Sequence, residues 1–191
     1  MAIGERERII LGIDPGTNIL GYGVIRTYGR NRIELGVLGV VNLKGYSDHY
    51  LKLGAIYLRV QQLVTEYLPD EVAFEAPFYG KNVQSMLKLG RAQGVAMAAA
   101  LSRSIPVFEY APRRIKQAIT GQGNASKEQV AAMLRSILKV KDFEQKHLDA
   151  TDAIAAAVCH FYQGDQASPP TKSGKTKSWS DFLSNNPDRI K

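Results

Sequence analysis

Residues 9–17 have the sequence IILGIDPGT, in which an apolar run ends at a carboxylate and a Pro-Gly turn follows at once. A second apolar run, at residues 20–25, comes directly behind it. This pattern predicts a buried strand, a tight turn and a returning strand. Asp14 would end the first strand, where a carboxylate is costly to bury unless it is paired, hydrogen-bonded or bound to a metal ion. Asp14 could equally cap the turn, because Asp, Pro and Gly are ordinary turn residues.

Apolar periodicity places the other elements along the chain. The predicted strands are 9–14, 20–25, 33–43, 71–78 and 106–109. The predicted helices are 50–67, 83–103, two within 112–146 that are separated by the Gly-rich residues 121–126, and 149–162. Ser126 is a suitable N-cap for the second helix of that pair. Because short turns join the first three strands and helices join the later ones, we expect an antiparallel meander followed by parallel strands. The predicted fold is α/β, with a mixed five-stranded sheet and helices on both faces.

The composition limits the class of protein. A chain of 191 residues accommodates one domain, predicted at 1–163, followed by a flexible basic tail at 164–191 that is rich in Ser, Pro, Lys, Gly and Asn. A net charge of +7 indicates an anionic partner, with nucleic acid the first candidate and a membrane surface the second. A single cysteine, Cys159, excludes an internal disulfide and is typical of a reducing compartment, so we expect a cytoplasmic protein. The sequence shows no signal-peptide pattern and no apolar stretch of about 20 residues.

Four carboxylates fall where this fold would bring them together. Sites in open α/β sheets form at the carboxyl ends of strands, and both Asp14 and Glu75 end a predicted strand. Asp149 and Asp152 are three residues apart and therefore share one face of the last helix. The pair also suits helix capping, because Asp is a favoured N-cap and a second acid in the first turn complements the helix dipole.

Four converging acids would repel one another strongly unless cations lie between them. Two Mg²⁺ ions would neutralise the four charges, and carboxylate oxygens are the ligands that Mg²⁺ and Mn²⁺ prefer. Two such ions about 4 Å apart activate a water molecule and stabilise the leaving oxygen in phosphodiester hydrolysis. Residues 112–146 carry eight basic and three acidic side chains, most of the excess positive charge, which favours a nucleic-acid substrate.

Three blocks of sequence carry a family resemblance: GIDPG at 12–16 with GYGV at 21–24, FEAPF at 74–78, and DATDAIAAA at 149–157. Together they resemble the RuvC family, bacterial crossover junction endodeoxyribonucleases that resolve Holliday junctions. The match runs from about residue 8 to residue 162. It implies a ribonuclease H-like homodimer that uses two Mg²⁺ ions per site, with Mn²⁺ as a substitute. It also implies symmetric nicking of a four-way DNA junction in recombination and repair, alongside the RuvA–RuvB branch-migration complex.

The resemblance also assigns roles to individual residues. The acids that it makes catalytic and metal-binding are Asp14, Glu75, Asp149 and Asp152. Phe78 matches an aromatic residue that stacks on a junction base, and two lysines match basic residues near the cleaved strand. The full set of predicted DNA contacts is Phe78, Tyr79, Lys81, Arg113, Lys116 and Lys127. His147 lies close to the acid pair but is expected to take no part.

The residues leave several alternatives open. The Asp-Pro-Gly-Thr block, followed by Gly-Tyr-Gly-Val, also resembles the first phosphate loop of actin-like ATPases and sugar kinases, although these need two lobes and 191 residues hold only one. A non-catalytic DNA-binding module with a degenerate nuclease fold is a second alternative. Ribonuclease H and transposase-type enzymes share the chemistry but differ in substrate. The helix at 83–103 carries Gly90 and Gly94, and we expect it to form the dimer interface unless it packs only within its own subunit.

Overall fold

A computed structural model of the chain describes residues 7–77, 82–141, 143 and 148–163, and it describes Leu148 and Asp149 by their backbone alone. The strands are β1 (Glu7–Asp14), β2 (Ile19–Tyr28), β3 (Arg32–Asn42), β4 (Glu71–Glu75) and β5 (Val107–Tyr110). The helices are α1 (His49–Tyr67), α2 (Val83–Leu101), α3 (Pro112–Thr120), α4 (Lys127–Leu138) and α5 (Leu148–Gln163). The predicted order of elements is confirmed. The predicted tail at 164–191 lies outside the described residues, so the division of the chain after residue 163 stays a prediction.

The strands form one mixed five-stranded sheet in the order β3-β2-β1-β4-β5. β1 to β3 make the predicted antiparallel meander, whereas β4 runs parallel to β1 and β5 runs parallel to β4. The ladder continues one residue past β4, where the Ala76 amide donates to the Tyr110 carbonyl over 2.9 Å. It stops at Pro77, which has no N–H to donate. β4 therefore ends three residues earlier than the predicted strand.

Helices cover both faces of the sheet, as predicted. Side chains alternate along β1, so that Leu11 and Ile13 pack towards α1 and α2, while Ile10 packs towards α3, α4 and α5. Both cores are apolar, and Phe74, Ile10 and Leu11 are among their fully buried side chains. None of the helices that the structure describes combines the length and the apolar character needed to cross a membrane.

Helix α5 lies directly on β1 and β2 because small residues line the contact. A Cβ atom added to Gly12 would lie 1.9 Å from the Ala153 carbonyl oxygen, and one added to Gly23 would lie 2.2 Å from Ile154 Cδ1. Both distances are far shorter than a normal contact. At Gly12 the obstacle is a backbone atom, so only glycine permits this approach there, whereas at Gly23 the Ile154 side chain would have to move. The close approach brings the first turn of α5 next to the carboxyl ends of β1 and β4.

The break between α3 and α4 contains the helix end and the N-cap that the sequence predicted. α3 ends at Gly121, whose φ of 76° is the left-handed conformation that glycine adopts at low cost. α4 begins with a capping box, in which the Ser126 side chain accepts from the Gln129 amide and the Gln129 side chain accepts from the Ser126 amide. This cap fixes the start of α4, so that Lys127 is its first residue.

Candidate active site

Asp14 and Glu75 lie side by side at the carboxyl ends of two neighbouring parallel strands. The register pairs Ile13 of β1 with Phe74 of β4, so the two acids are the next residues in the same ladder. Gly12 faces α5, and the period of two along a strand points Asp14 to the same face. Ala73 packs in the α5-side core, so Glu75 points there as well.

Asp152, on the first turns of α5, completes this group of described acids. A cavity of about 220 Å³ is lined by Asp14, Glu75 and Asp152, together with Lys127 and Gln93. The side chain of Asp152 is 23% exposed, so the acid remains within reach of a ligand that enters from solvent. The strand ends and the helix thus bring three of the four predicted acids together. The side chain of the fourth, Asp149, lies outside the described residues, as do His147 and the predicted DNA contacts Phe78, Tyr79 and Lys81.

The electrostatics of Glu75 reflect this crowding. Burial, followed by repulsion from Asp14 and Asp152, raises the pKa of Glu75 to about 7. Lys127 and Lys116 lower the pKa and so offset part of this rise. Burial and neighbouring like charges both disfavour the ionised form of a carboxyl group. A positive charge placed among these acids would therefore be bound favourably.

Lys127 supplies one such charge. Its Nζ atom donates a hydrogen bond to Asp152 Oδ2 over 2.7 Å, and this bond raises the pKa of the lysine. Lys116, on α3, lines an adjoining cavity together with Glu75, Lys127 and Asp152. The two lysines predicted from the sequence therefore lie beside the acids.

Arg113 lines a different cavity, although it lies only three positions before Lys116. Its side chain lines a different and larger cleft, which it shares with Arg8 and Arg114. Residues three apart share one face of a helix, so the difference lies in what surrounds each end of α3: Lys116 faces the acids, whereas Arg113 faces the larger cleft. A contact between Arg113 and DNA stays a prediction, but not one that belongs to the acid cavity.

Gln93 is a residue of this site that the sequence analysis missed. It is one of the few buried polar side chains among the described residues, at 4% exposure, and it lines the acid cavity. Its Nε2 atom donates to Glu109 Oε1 over 2.7 Å and lies 3.5 Å from the carbonyl oxygen of Glu75. Its position beside Ala92 and Ala96, on the buried face of α2, was the available signal, because a lone amide on such a face needs a polar partner.

The donor chemistry of these acids fits a hard divalent cation. Asp14, Glu75 and Asp152 line one cavity, and a cation there would relieve the mutual repulsion of their carboxylates. Among the described side chains alone, no group of three or more His, Cys, Asp and Glu is arranged to hold a metal ion. A complete ligand set therefore requires further donors, and Asp149 is the candidate that the sequence provides.

The raised pKa of Glu75 predicts how the metal-free protein responds to pH. Between the ordinary value of 4.5 and about 7, the folded protein keeps a proton that the unfolded chain has lost. The free energy of unfolding should therefore fall as the pH rises through this range, by about 3 kcal/mol at most for this one group. Glu75→Gln removes the effect, so the variant should match the parent near pH 4.5 and unfold at higher urea concentration at pH 8. Urea unfolding in a chelating buffer at both pH values measures this.

The exposed residue Glu66 on α1 provides the control, because Glu66→Gln makes the same chemical change outside the site. Adding Mg²⁺ at pH 8 should stabilise the parent more than the Glu75→Gln variant, since binding to the folded state adds to stability. Equal stability of parent and Glu75→Gln at pH 8 without metal would contradict the crowding of the three acids.

A mixed sheet in this strand order, with acids ending two central parallel strands and another on a helix packed against them, is typical of ribonuclease H-like nucleases. The sequence model described as "Crossover junction endodeoxyribonuclease RuvC" matches residues 10–160. The chain therefore belongs to the RuvC family of crossover junction endodeoxyribonucleases, as the sequence blocks predicted. This membership favours the nuclease interpretation over an actin-like ATPase.

Similar proteins agree with this assignment over almost the whole chain. The crossover junction endodeoxyribonuclease RuvC of Porphyromonas gingivalis is 56% identical over 99% of this chain and 100% of its own length. That of Bacteroides fragilis is 57% identical over 97% of each chain. Among solved structures, Thermus thermophilus RuvC in complex with a Holliday junction substrate aligns with a TM-score of 0.77 at 32% identity. It covers 85% of this chain and 98% of its own.

Proposed function

We propose that this protein resolves four-way DNA junctions by metal-dependent hydrolysis of phosphodiester bonds. The observation that carries the proposal is the group formed by Asp14, Glu75 and Asp152, held around one cavity with Lys127 and Lys116 beside it. Family membership supports the same activity, and the Thermus thermophilus relative was solved with a Holliday junction substrate. The single cysteine and the DNA substrate support a cytoplasmic location.

The acids and the lysines have complementary tasks in this reaction. Asp14, Glu75, Asp152 and Asp149 would hold two Mg²⁺ ions, or Mn²⁺ in their place. Bound there, the ions would supply an activated water and stabilisation of the leaving oxygen. Glu75 must lose its proton to act as a ligand, and its raised pKa makes metal binding weaker as the pH falls below about 7. Lys127 and Lys116 would contact phosphate oxygens and bring the scissile bond to the acids.

Selectivity for a junction requires a feature that plain duplex lacks, such as unstacked bases at the crossover. Phe78, three residues after Glu75, would stack on such a base, a contact worth about 1–3 kcal/mol. Tyr79 and Lys81 would extend this contact. If stacking is the role of Phe78, a Phe78→Ala variant should melt like the parent and bind junctions but cut them slowly. A Phe78→Ala variant that melts and cuts like the parent would rule out the stacking role of Phe78.

Comparison of three substrates on one gel tests the proposed activity. A four-way junction, a plain duplex and an RNA–DNA hybrid, each offered with Mg²⁺, distinguish a resolvase from ribonuclease H and from general nucleases. We expect paired, symmetric nicks in the junction and little cutting of the other two. Absence of any Mg²⁺-dependent nicking would instead support a non-catalytic DNA-binding module. Co-purification with RuvA and RuvB on a junction would test the proposed partnership with the branch-migration complex.

Two symmetric nicks require two active sites, so we also propose that the protein acts as a homodimer. One face of α2 supports this, because it presents apolar side chains to solvent. Val83 and Leu87 on this helix are 67% and 50% exposed. A Cβ atom added to Gly90 or Gly94 would meet no atom within 4 Å, so these glycines do not serve packing within the subunit as described. A second copy of α2 could approach closely along this face.

Adding a large side chain to that face should separate the dimer. We expect the parent to sediment at about twice the 21.0 kDa of one chain and Gly94→Leu to sediment as a single chain at micromolar concentration. Gly45→Leu adds the same side chain to open space outside α2 and should leave the dimer intact. A monomeric parent would contradict the dimer, and a dimeric Gly94→Leu would contradict this interface.

A further inference from the structure

A second cleft opens at the end of the sheet opposite the acids. We call it the arginine cleft, because four arginines line it: Arg8, Arg30, Arg113 and Arg114. Its volume is about 1420 Å³, against about 220 Å³ for the acid cavity. Its walls come from the amino ends of β1 and β4, the turn after β2, α3 and the last turn of α5. Small-molecule pockets measure about 300–1,000 Å³, so this volume suits a segment of a polymer.

The cleft carries net positive charge. Among the described residues that line it, four arginines and two carboxylates, Asp70 and Glu71, give a net charge of +2. Both carboxylates are already engaged by the protein, since Asp70 Oδ2 accepts from the Ile9 amide over 2.8 Å and Glu71 Oε2 lies 3.4 Å from Arg8 Nε. Glu71 Oε2 also lies 2.9 Å from Nε2 of the buried His160. The acids therefore do little to neutralise the arginines on the opposite wall.

Arg114 and Arg113 form that opposite wall on α3. Arg114 donates to Oε1 of Gln163, a neutral amide that cannot balance its charge. Both arginine side chains belong to exposed residues, and so does Arg30 across the cleft. Guanidinium groups in such positions match phosphate oxygens in geometry as well as in charge.

Aromatic side chains accompany the arginines. Tyr162 is 49% exposed at the end of α5, and Phe161 beside it lines the same cleft. An exposed ring beside arginines can pack against the sugars of a nucleic-acid backbone while the cations contact its phosphates. Charge, size and aromatic character thus all indicate a nucleic acid strand as the occupant.

We propose that the arginine cleft binds the phosphate backbone of a junction arm at a distance from the cleavage point. This inference rests on the proposed function. Arg8 and Asp14 lie six residues apart on β1, which places the cleft about 20 Å from the acids. Phosphates advance about 3.4 Å per nucleotide along one strand of duplex DNA. A distance of about 20 Å therefore corresponds to about six base pairs between the nick and the part of the arm that reaches the cleft. Helix α3 spans both sites, with Lys116 at the acids and Arg114 in the cleft.

Arm length and salt dependence together test the inference. Junction binding is measured without divalent metal, on arms of about 20 base pairs and on hairpin-closed arms of about five base pairs. The affinity for DNA falls as the salt concentration rises. Each lost phosphate contact reduces the magnitude of the slope of log affinity against log salt by about 0.9. The double variant Arg30→Gln/Arg114→Gln should therefore lose about 1.8 from this slope on long arms and nothing on short arms. The two single variants should each lose about half of that amount.

Arg103→Gln is the matched control, because Arg103 is exposed, lies after α2 and does not line the cleft. It should keep the slope of the parent on both arm lengths, and all variants should keep the melting temperature of the parent.

A parent that neither prefers nor cuts junctions would overturn the proposed function, and the inference with it. A parent that cuts junctions beside a double variant with an unchanged slope would overturn the inference alone. An unchanged slope is also the result expected if an acidic protein segment, rather than DNA, fills the cleft. An equal loss of slope on short arms would overturn the inference too.

Discussion

Glu75→Gln is expected to slow junction cleavage at least about 100-fold while leaving junction binding intact or slightly tighter. The substitution removes a charged oxygen ligand from a crowded acid site, and a loss of about 3 kcal/mol of transition-state stabilisation corresponds to that factor. Binding should survive because a negative charge near the DNA phosphates is removed as well. Single-turnover cleavage and metal-free binding of the same junction measure the two effects separately.

The same result is expected for Asp14→Asn and Asp152→Asn, because both acids line the same cavity as Glu75. Asp149→Asn belongs to the series as the test of the fourth predicted ligand. Glu66→Gln is the control with an exposed carboxylate on α1 and should cut at the rate of the parent. Near-normal cleavage by Asp152→Asn would contradict the metal-ligand role. It would restore the interpretation in which the two acids of α5 serve the start of the helix.

Gly12→Ala is expected to cause the largest loss of stability among single-methyl additions to the central sheet. The new Cβ would lie 1.9 Å from the Ala153 carbonyl oxygen, a backbone atom that no side-chain rotation can move away. Over-packing of this kind costs about 3 kcal/mol at the upper end of its usual range. For a chain of this length, that loss lowers the melting temperature by about 6–12 °C. Thermal unfolding followed by circular dichroism measures it.

Gly54→Ala is the matched control, because Gly54 lies within α1 and a Cβ added there meets no atom within 4 Å. Replacing glycine by alanine in an open helical position should stabilise the protein, by up to about 1 kcal/mol. Gly12→Ala should also reduce cleavage, since moving α5 displaces Asp152 from the strand ends. A Gly12→Ala variant that melts with the parent would show that α5 does not lie as close to β1 as described.

Local patterns in the sequence were enough to predict most of the fold. Alternating and helical apolar periods marked the ten elements, and the short turns marked which strands had to be antiparallel. The N-cap at Ser126 and the helix break at Gly121 could be predicted because helix caps and helix ends depend on residues only a few positions apart. Asp14 and Glu75 could be placed at strand ends for the same reason, and the general rule for α/β sheets then brought them to one edge.

The tertiary structure decided the contacts that join distant residues. The bond from Lys127 to Asp152 spans 25 positions, and the Gln93 amide reaches Glu109 across 16. Arg113 and Lys116 line different cavities because different elements surround the two positions along α3, and the periodicity of a short helix does not specify those elements. The raised pKa of Glu75 depends on burial and on two acids from other elements. Local sequence therefore determined the elements and their order, whereas packing determined which charges meet, because burial and Coulomb interactions act through space and not along the chain.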